Sequence, residues 1–267
     1  MSPLWPVAVI TFKEGIRNRA VYGISLFALI MMAVNLLISD MIMQEVGKVS
    51  VDIALSSISF LGLLLVLFVG INLLAKDLDK RTIYMVLARP ISRGEYIVGK
   101  FLGMVLLIVV SMCILSLFAV ASIFLVKMRY SGYFPRFSWP MIFLSISFTT
   151  ISLILLSALS FLFASFASTS FISLILTIAA YIIGHSMSDV KALVEASQDN
   201  ISPVTVKVVQ AAYYIFPNLS LFDIKTQAAH DLAIPMSYIF LAVSYGLAYT
   251  CIVIILASLI FRKREFP

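Results

Sequence analysis

Charge is what this chain has least of. Asp, Glu, Lys and Arg together make up 12% of its 267 residues, against 62% hydrophobic residues. A soluble globular domain carries about 25% charge, so a soluble fold is excluded. Cysteine is nearly absent: Cys113 and Cys251 have no partner at metal or redox spacing, which excludes a disulfide framework and leaves both as small apolar core residues. Histidine is equally scarce. His185 and His230, with scattered acids around them, form no converging catalytic set, so a membrane enzyme has nothing to work with. His185 alone reads as an interfacial hydrogen-bonding residue rather than a ligand. No small-x-small cleavage site follows the first apolar run, so the N-terminus is expected to be retained and not removed as a signal peptide. No inverted repeat is visible and no charge stands at the centre of an apolar run, which argues against an ion-coupled secondary transporter.

What the chain does have is length of hydrocarbon. A helix needs about 20 apolar residues to cross the bilayer core, and six such runs fall at about 20–39, 53–75, 101–126, 139–163, 171–188 and 235–261. The fifth is the shortest. The runs are continuously apolar and do not alternate at period two, which favours helices over a β-barrel. The expected fold is therefore an all-α polytopic membrane protein with six transmembrane helices, a single domain over 1–267. Of its 19 basic residues, 12 lie in the termini and between runs two and three. Lys and Arg accumulate on the cytosolic side, so both termini are expected inside. The stretch from Lys127 to Arg136 dissents, with three bases on the outer side. Ahead of the first run, over residues 1–19, Trp5, Val9, Phe12 and Ile16 recur at helical spacing, while Lys13, Glu14 and Arg17 fall mostly on other faces. This predicts an amphipathic elbow helix lying in the inner interface of the lipid bilayer, with a simple basic anchor as the plainer reading.

Polar residues inside the runs are mild. Serines at 145, 147, 152, 157, 160 and 165 run along the fourth span with Thr149 and Thr150. Such residues mostly join helices or satisfy backbone carbonyls, and a stripe lining a substrate path is the lesser reading. In the outer segment 189–234, Asp189 to Asn200 is polar enough for a surface helix. Val208 to Phe222 lacks charge, is too short to span and is broken at Pro217 and Asn218. It predicts a re-entrant or interfacial hairpin, with Tyr213 and Tyr214 at headgroup level; a buried cap packed on the spans is the alternative, and the two are compatible.

The polar island 76–100, KDLDKRTIYMVLARPISRGEYIVGK, holds six of the 19 bases. Gly94 to Lys100 spells GxxxxGK, the start of a phosphate-binding P-loop. That motif needs a preceding strand and a Ser or Thr after the Lys. Here Phe101 follows, Glu95 would repel phosphate, and no cytosolic segment is long enough for a nucleotide-binding domain of about 100 residues. No cofactor is therefore expected on this chain. A local account fits better: Pro90 ends a short helix over 79–88, and Ser92 with Glu95 three residues on forms a capping box that starts the third span.

Thr82, Pro90, Ser92, Arg93, Glu95, Gly99 and Lys100 resemble the cytosolic loop of ABC-2 type permeases, the membrane subunits of bacterial ABC transporters. Phe12-Lys13-Glu14 with Arg17 and Arg19, the outer YYIFPNLSLFD and the closing FRKREF are similar to family counterparts. The chain departs from the pattern at Lys80-Arg81, where the family commonly has an acid or amide followed by Gly. The resemblance implies a permease that pairs with a second copy or homologue and docks a separate ABC ATPase subunit through 76–100. ATP and Mg would be held by that partner, with export the usual direction. Asp77, Asp79, Arg81, Tyr84, Arg89 and Arg93 are then the candidate coupling residues, in a bacterial or archaeal cytoplasmic membrane, with no nucleic-acid partner. An ATPase-independent secondary transporter or channel is the alternative.

Overall fold

The computed structural model describes residues 4–42, 45–71, 73, 92–134, 137–167, 169–196, 206, 207, 209, 211, 213 and 216–263. Among these residues the fold is helical throughout, without strands. The helices are α1 (Leu4–Ile16), α2 (Arg19–Met41), α3 (Val46–Leu65, continued by a π turn over Val66–Gly70), α4 (Arg93–Arg129), α5 (Trp139–Phe166), α6 (Ser170–Ala196), α7 (Lys225–Ala229) and α8 (Met236–Lys263). Six of them, all but α1 and α7, are long and apolar enough to cross a membrane. Gly70, Arg93, Phe166, Ser170 and Lys263 share the end that bears the polar island. Met41, Val46, Arg129, Trp139, Ala196 and Met236 share the far end.

The helices outrun the apolar segments. At 37 residues α4 is about 55 Å long, against a hydrocarbon core of about 30 Å, so its polar first turns continue the span toward the island. The fifth span is likewise longer than its apolar run. It does not give way to a separate surface helix at Asp189 but continues unbroken to Ala196, because SDVKALVEA contains no Gly or Pro and is rich in good helix formers.

Burial orders the bundle. The apolar window of α5 is 56% buried and that of α2 only 17%, so α5 is the central post and α2 an outer one. Asn35 fastens α2 from the side: its Nδ2, fully buried, donates to the Ser50 carbonyl at 3.1 Å and to Ser122 Oγ at 3.0 Å, joining α2, α3 and α4. Such links are worth about 0.6 kcal/mol or more between membrane helices. The serine stripe of α5 is mostly internal. Ser147, Thr150, Ser157, Ser160 and Ser165 return their hydroxyl protons to carbonyls of α5 itself. Cys113 and Cys251 are not core residues; both are exposed on the outside of the bundle, where lipid accepts a small apolar side chain as readily as a core does.

At the far end the dissenting bases are partly neutralised. Arg129 pairs with Asp40 at 3.3 Å, and Lys127 Nζ lies 4.0 Å from the centre of the Phe137 ring. The Asp40 carboxylate also accepts the Tyr130 hydroxyl at 2.8 Å, and holding that proton raises the phenol above its ordinary pKa.

The segment 216–229 enters the bundle. Asn218 opens a 3-10 turn, Leu219–Phe222, with its side chain accepting from Ser220 N. Leu219 and Phe222 are fully buried. A Cβ on Gly184 of α6 would stand 2.8 Å from both the Pro217 carbonyl and Leu219, and one on Gly246 of α8 would stand 2.9 Å from Phe222. Two glycines thus admit the turn between α6 and α8, while Phe222 meets Phe148 of α5 edge-on at 6.1 Å. Gly184, Phe148 and Gly246 each lie about ten residues, roughly 15 Å of helix rise, in from the far end. The turn therefore reaches deep between the helices.

Candidate functional site

The chain returns from the island into the bundle at the first turns of α4, and four elements meet there. Ser92 is the N-cap: its Oγ accepts from Glu95 N at 3.2 Å, and Glu95 Oε2 accepts from Ser92 N at 2.9 Å. Two otherwise unpaired amides are satisfied reciprocally. Ser92→Ala is expected to cost about 1 kcal/mol, read as a lower thermal midpoint in detergent, with Ser92→Thr retaining wild-type stability.

The next residues bind α8. The Arg93 guanidinium donates to the Arg262 carbonyl at 3.3 Å, placing a cation at a helix C-terminus where carbonyls are unpaired. A Cβ on Gly94 would come 2.8 Å from Ser258 Oγ. The buried Tyr96 ring stacks on Phe261 at 6.3 Å.

One turn further, α1 lies against the same helix. A Cβ on Gly99 would meet Val7 at 2.9 Å, one on Gly103 would meet the Ala8 carbonyl and Thr11 at 2.6 Å, and Gly15 packs on Leu107. Gly99 and Gly103 form a GxxxG pair that lets the two backbones approach closely. The contacts advance in step along both chains, so α1 runs beside α4 in the same direction. Its buried face is Ala8, Thr11 and Gly15, while Trp5 is exposed, Phe12 is half-buried against the core, Lys13 and Arg17 are exposed and Glu14 is half-buried.

Lys100 closes the assembly. It is only 5% exposed, its ammonium donates to the Leu73 carbonyl beyond the π turn of α3, and it lies 5.6 Å from the centre of the Tyr96 ring. The GxxxxGK spacing therefore has a packing meaning here: Gly94 admits α8, Gly99 admits α1 and Lys100 ties down the end of α3.

Of the candidate coupling residues, Arg93 stands in this assembly. Asp77, Asp79, Arg81, Tyr84 and Arg89, with the helix expected over 79–88, lie outside the described residues, as does Tyr214 of the expected hairpin. Tyr213 is described, with Lys191 Nζ 4.3 Å from its ring centre. Pro217 and Asn218 are buried, and Asn218 is held by Ser188 and by its amide's 3.0 Å bond to Tyr245 Oη. Tyr96, Gly99, Gly103 and Lys100 are the residues whose packing role sequence reasoning missed. The small-xxx-small pair was a readable signal, overshadowed by the P-loop spacing that overlaps it.

Six helices long and apolar enough to cross a membrane, with α1, α8 and the end of α3 fastened to the first turns of α4, define a multi-pass membrane protein. The chain belongs to the ABC-2 transporter family: the family model described as ABC-2 family transporter protein matches residues 5–266. Comparison with the curated proteins gives no match. Membership makes this chain a membrane transport component, a permease, of a family whose permeases work with ABC ATPase partners.

Proposed function

We propose that this chain is the membrane half of an ATP-driven exporter, with the island 76–100 in the cytosol as the docking surface for a separate ATPase subunit that holds ATP and Mg. The observation that supports it most is the convergence of α1, α8 and the end of α3 on the first turns of α4. A displacement of the island reaches three other elements at once, because each is fastened to α4 by close backbone packing or a buried hydrogen bond. The bias of Lys and Arg toward the island end supports a cytosolic placement for it and for both termini. The elbow α1 then lies at the inner face with Trp5 directed to lipid, and 216–229 forms a re-entrant element from the outer side. Two permease chains pair in a bacterial or archaeal cytoplasmic membrane, and export is the direction the resemblance implies.

Reversing charge at Arg89 and Arg93 together is the test. The R89E/R93E variant is expected to insert, with a lower thermal midpoint because it gives up the Arg93 bond to the end of α8, and to leave ATP hydrolysis by the partner measurable. It is expected to lower transport by the complex at least tenfold in reconstituted vesicles, more than R93Q, which gives up the same bond without reversing charge. Undiminished transport would remove the docking role.

A further inference from the structure

The segment that dips between the helices carries two charges with it. Asp223 and Lys225 flank the buried Ile224, and Lys225 Nζ stands 3.3 Å from Asp223 Oδ2. They line an open cleft, with Ser59 of α3, Thr149 and Ser152 of α5 and His185 of α6 among its other walls. Ser59 lies 6 residues into the apolar run that begins at 53, and Ser152 lies 13 into the run that begins at 139. That is about 10 to 20 Å of helix rise in from the far boundary of a hydrocarbon core about 30 Å thick.

The two side chains are partly exposed, 22% for Lys225 and 33% for Asp223, so the pair is only partly withdrawn from solvent, at a depth where charges are uncommon. It offers no stability that a packed apolar pair could not match, and ionisable groups inside membrane bundles mark ligand or ion pathways. The surrounding chemistry fits a ligand. Thr149 and Ser152 of α5 are among the lining residues of the cleft. His185 Nδ1 is buried there without a well-formed hydrogen bond.

We propose that this cleft binds a small zwitterion, with Asp223 taking its ammonium group and Lys225 its phosphate or carboxylate, assisted by the hydroxyls of Thr149 and Ser152. The pair itself sets the charge type. A zwitterion that parts Asp223 from Lys225 gives each a new opposite charge and buries no net charge. A lone cation would leave Lys225 unmatched and a lone anion would leave Asp223 unmatched, each a partly desolvated charge without its partner. The site does not depend on the direction of transport or on the ATPase.

The experiment follows thermal unfolding of the full chain, purified in detergent, with four probes: glycerophosphoethanolamine as the soluble zwitterion, lysophosphatidylethanolamine as its lipid form, glycerol phosphate as the anion and ethanolamine as the cation. Either zwitterion is expected to raise the midpoint saturably, while the singly charged probes at equal concentration leave it unchanged. A response to both zwitterions assigns recognition to the headgroup alone, and a response only to the lipid form assigns the ligand to the bilayer. The variant D223N/K225M, which removes both charges together, is expected to weaken the response at least tenfold. Should that variant not fold, T149V/S152A takes its place, with a tenfold loss expected. No shift with either zwitterion, equal shifts with the singly charged probes, or an undiminished shift in the variant that folds would overturn the proposal.

Discussion

Gly103→Leu is expected to destabilise the protein by about 3 kcal/mol, at the upper end of the cost of overpacking a close contact. The Cβ alone would stand 2.6 Å from the Ala8 carbonyl. That atom is backbone in the middle of α1 and cannot rotate away, so α1 has to leave α4. Gly23→Leu is the control, because nothing lies within 4 Å of a Cβ there, and its effect is expected to stay within about 0.5 kcal/mol. Thermal midpoints of the two variants in the same detergent decide the matter. Equal midpoints would mean that α1 is not held by this contact.

Lys100→Met is expected to cost about 2 kcal/mol, the range for a hydrogen bond made by a charged group. The variant keeps the length and apolar stem of the side chain but leaves the Leu73 carbonyl without the ammonium that it now accepts from. A nucleotide site at Gly94 to Lys100 predicts the reverse pattern, with unchanged stability and lost nucleotide binding. Thermal unfolding with and without ATP separates the two accounts, and an unchanged midpoint would show that Lys100 does not fasten α3 to α4. If the change at Lys100 also alters coupling in the complex, the route is the end of α3, since Lys100 itself is buried and cannot meet a partner directly.

These residues show how far the sequence could be read. The capping box at Ser92 and Glu95 was legible because it is local: its two hydrogen bonds join residues three apart. The six spans were legible because transfer from water to hydrocarbon is close to a sum over side chains. Helix ends were less so, since Lys48, Asp52 and the turns after Arg93 lie outside the apolar runs yet remain helical. The glycines of α4 were visible as letters, but which partner each admits depends on α1 and α8, far away in the chain.

Sequence by itself determined that this is a helical membrane protein with six spans, where its third long helix begins, and which family it resembles. Hydropathy, capping and motif spacing act over a few residues or sum along the chain. Tertiary structure alone decided that Gly94, Gly99 and Lys100 are packing residues and that the central serines mostly serve their own helix. It also decided that Asp223 and Lys225, written in a loop, stand partly exposed in a cleft among apolar spans. The depth of a charge is set by the glycines and rings that its segment packs against, and no property of the segment itself records it.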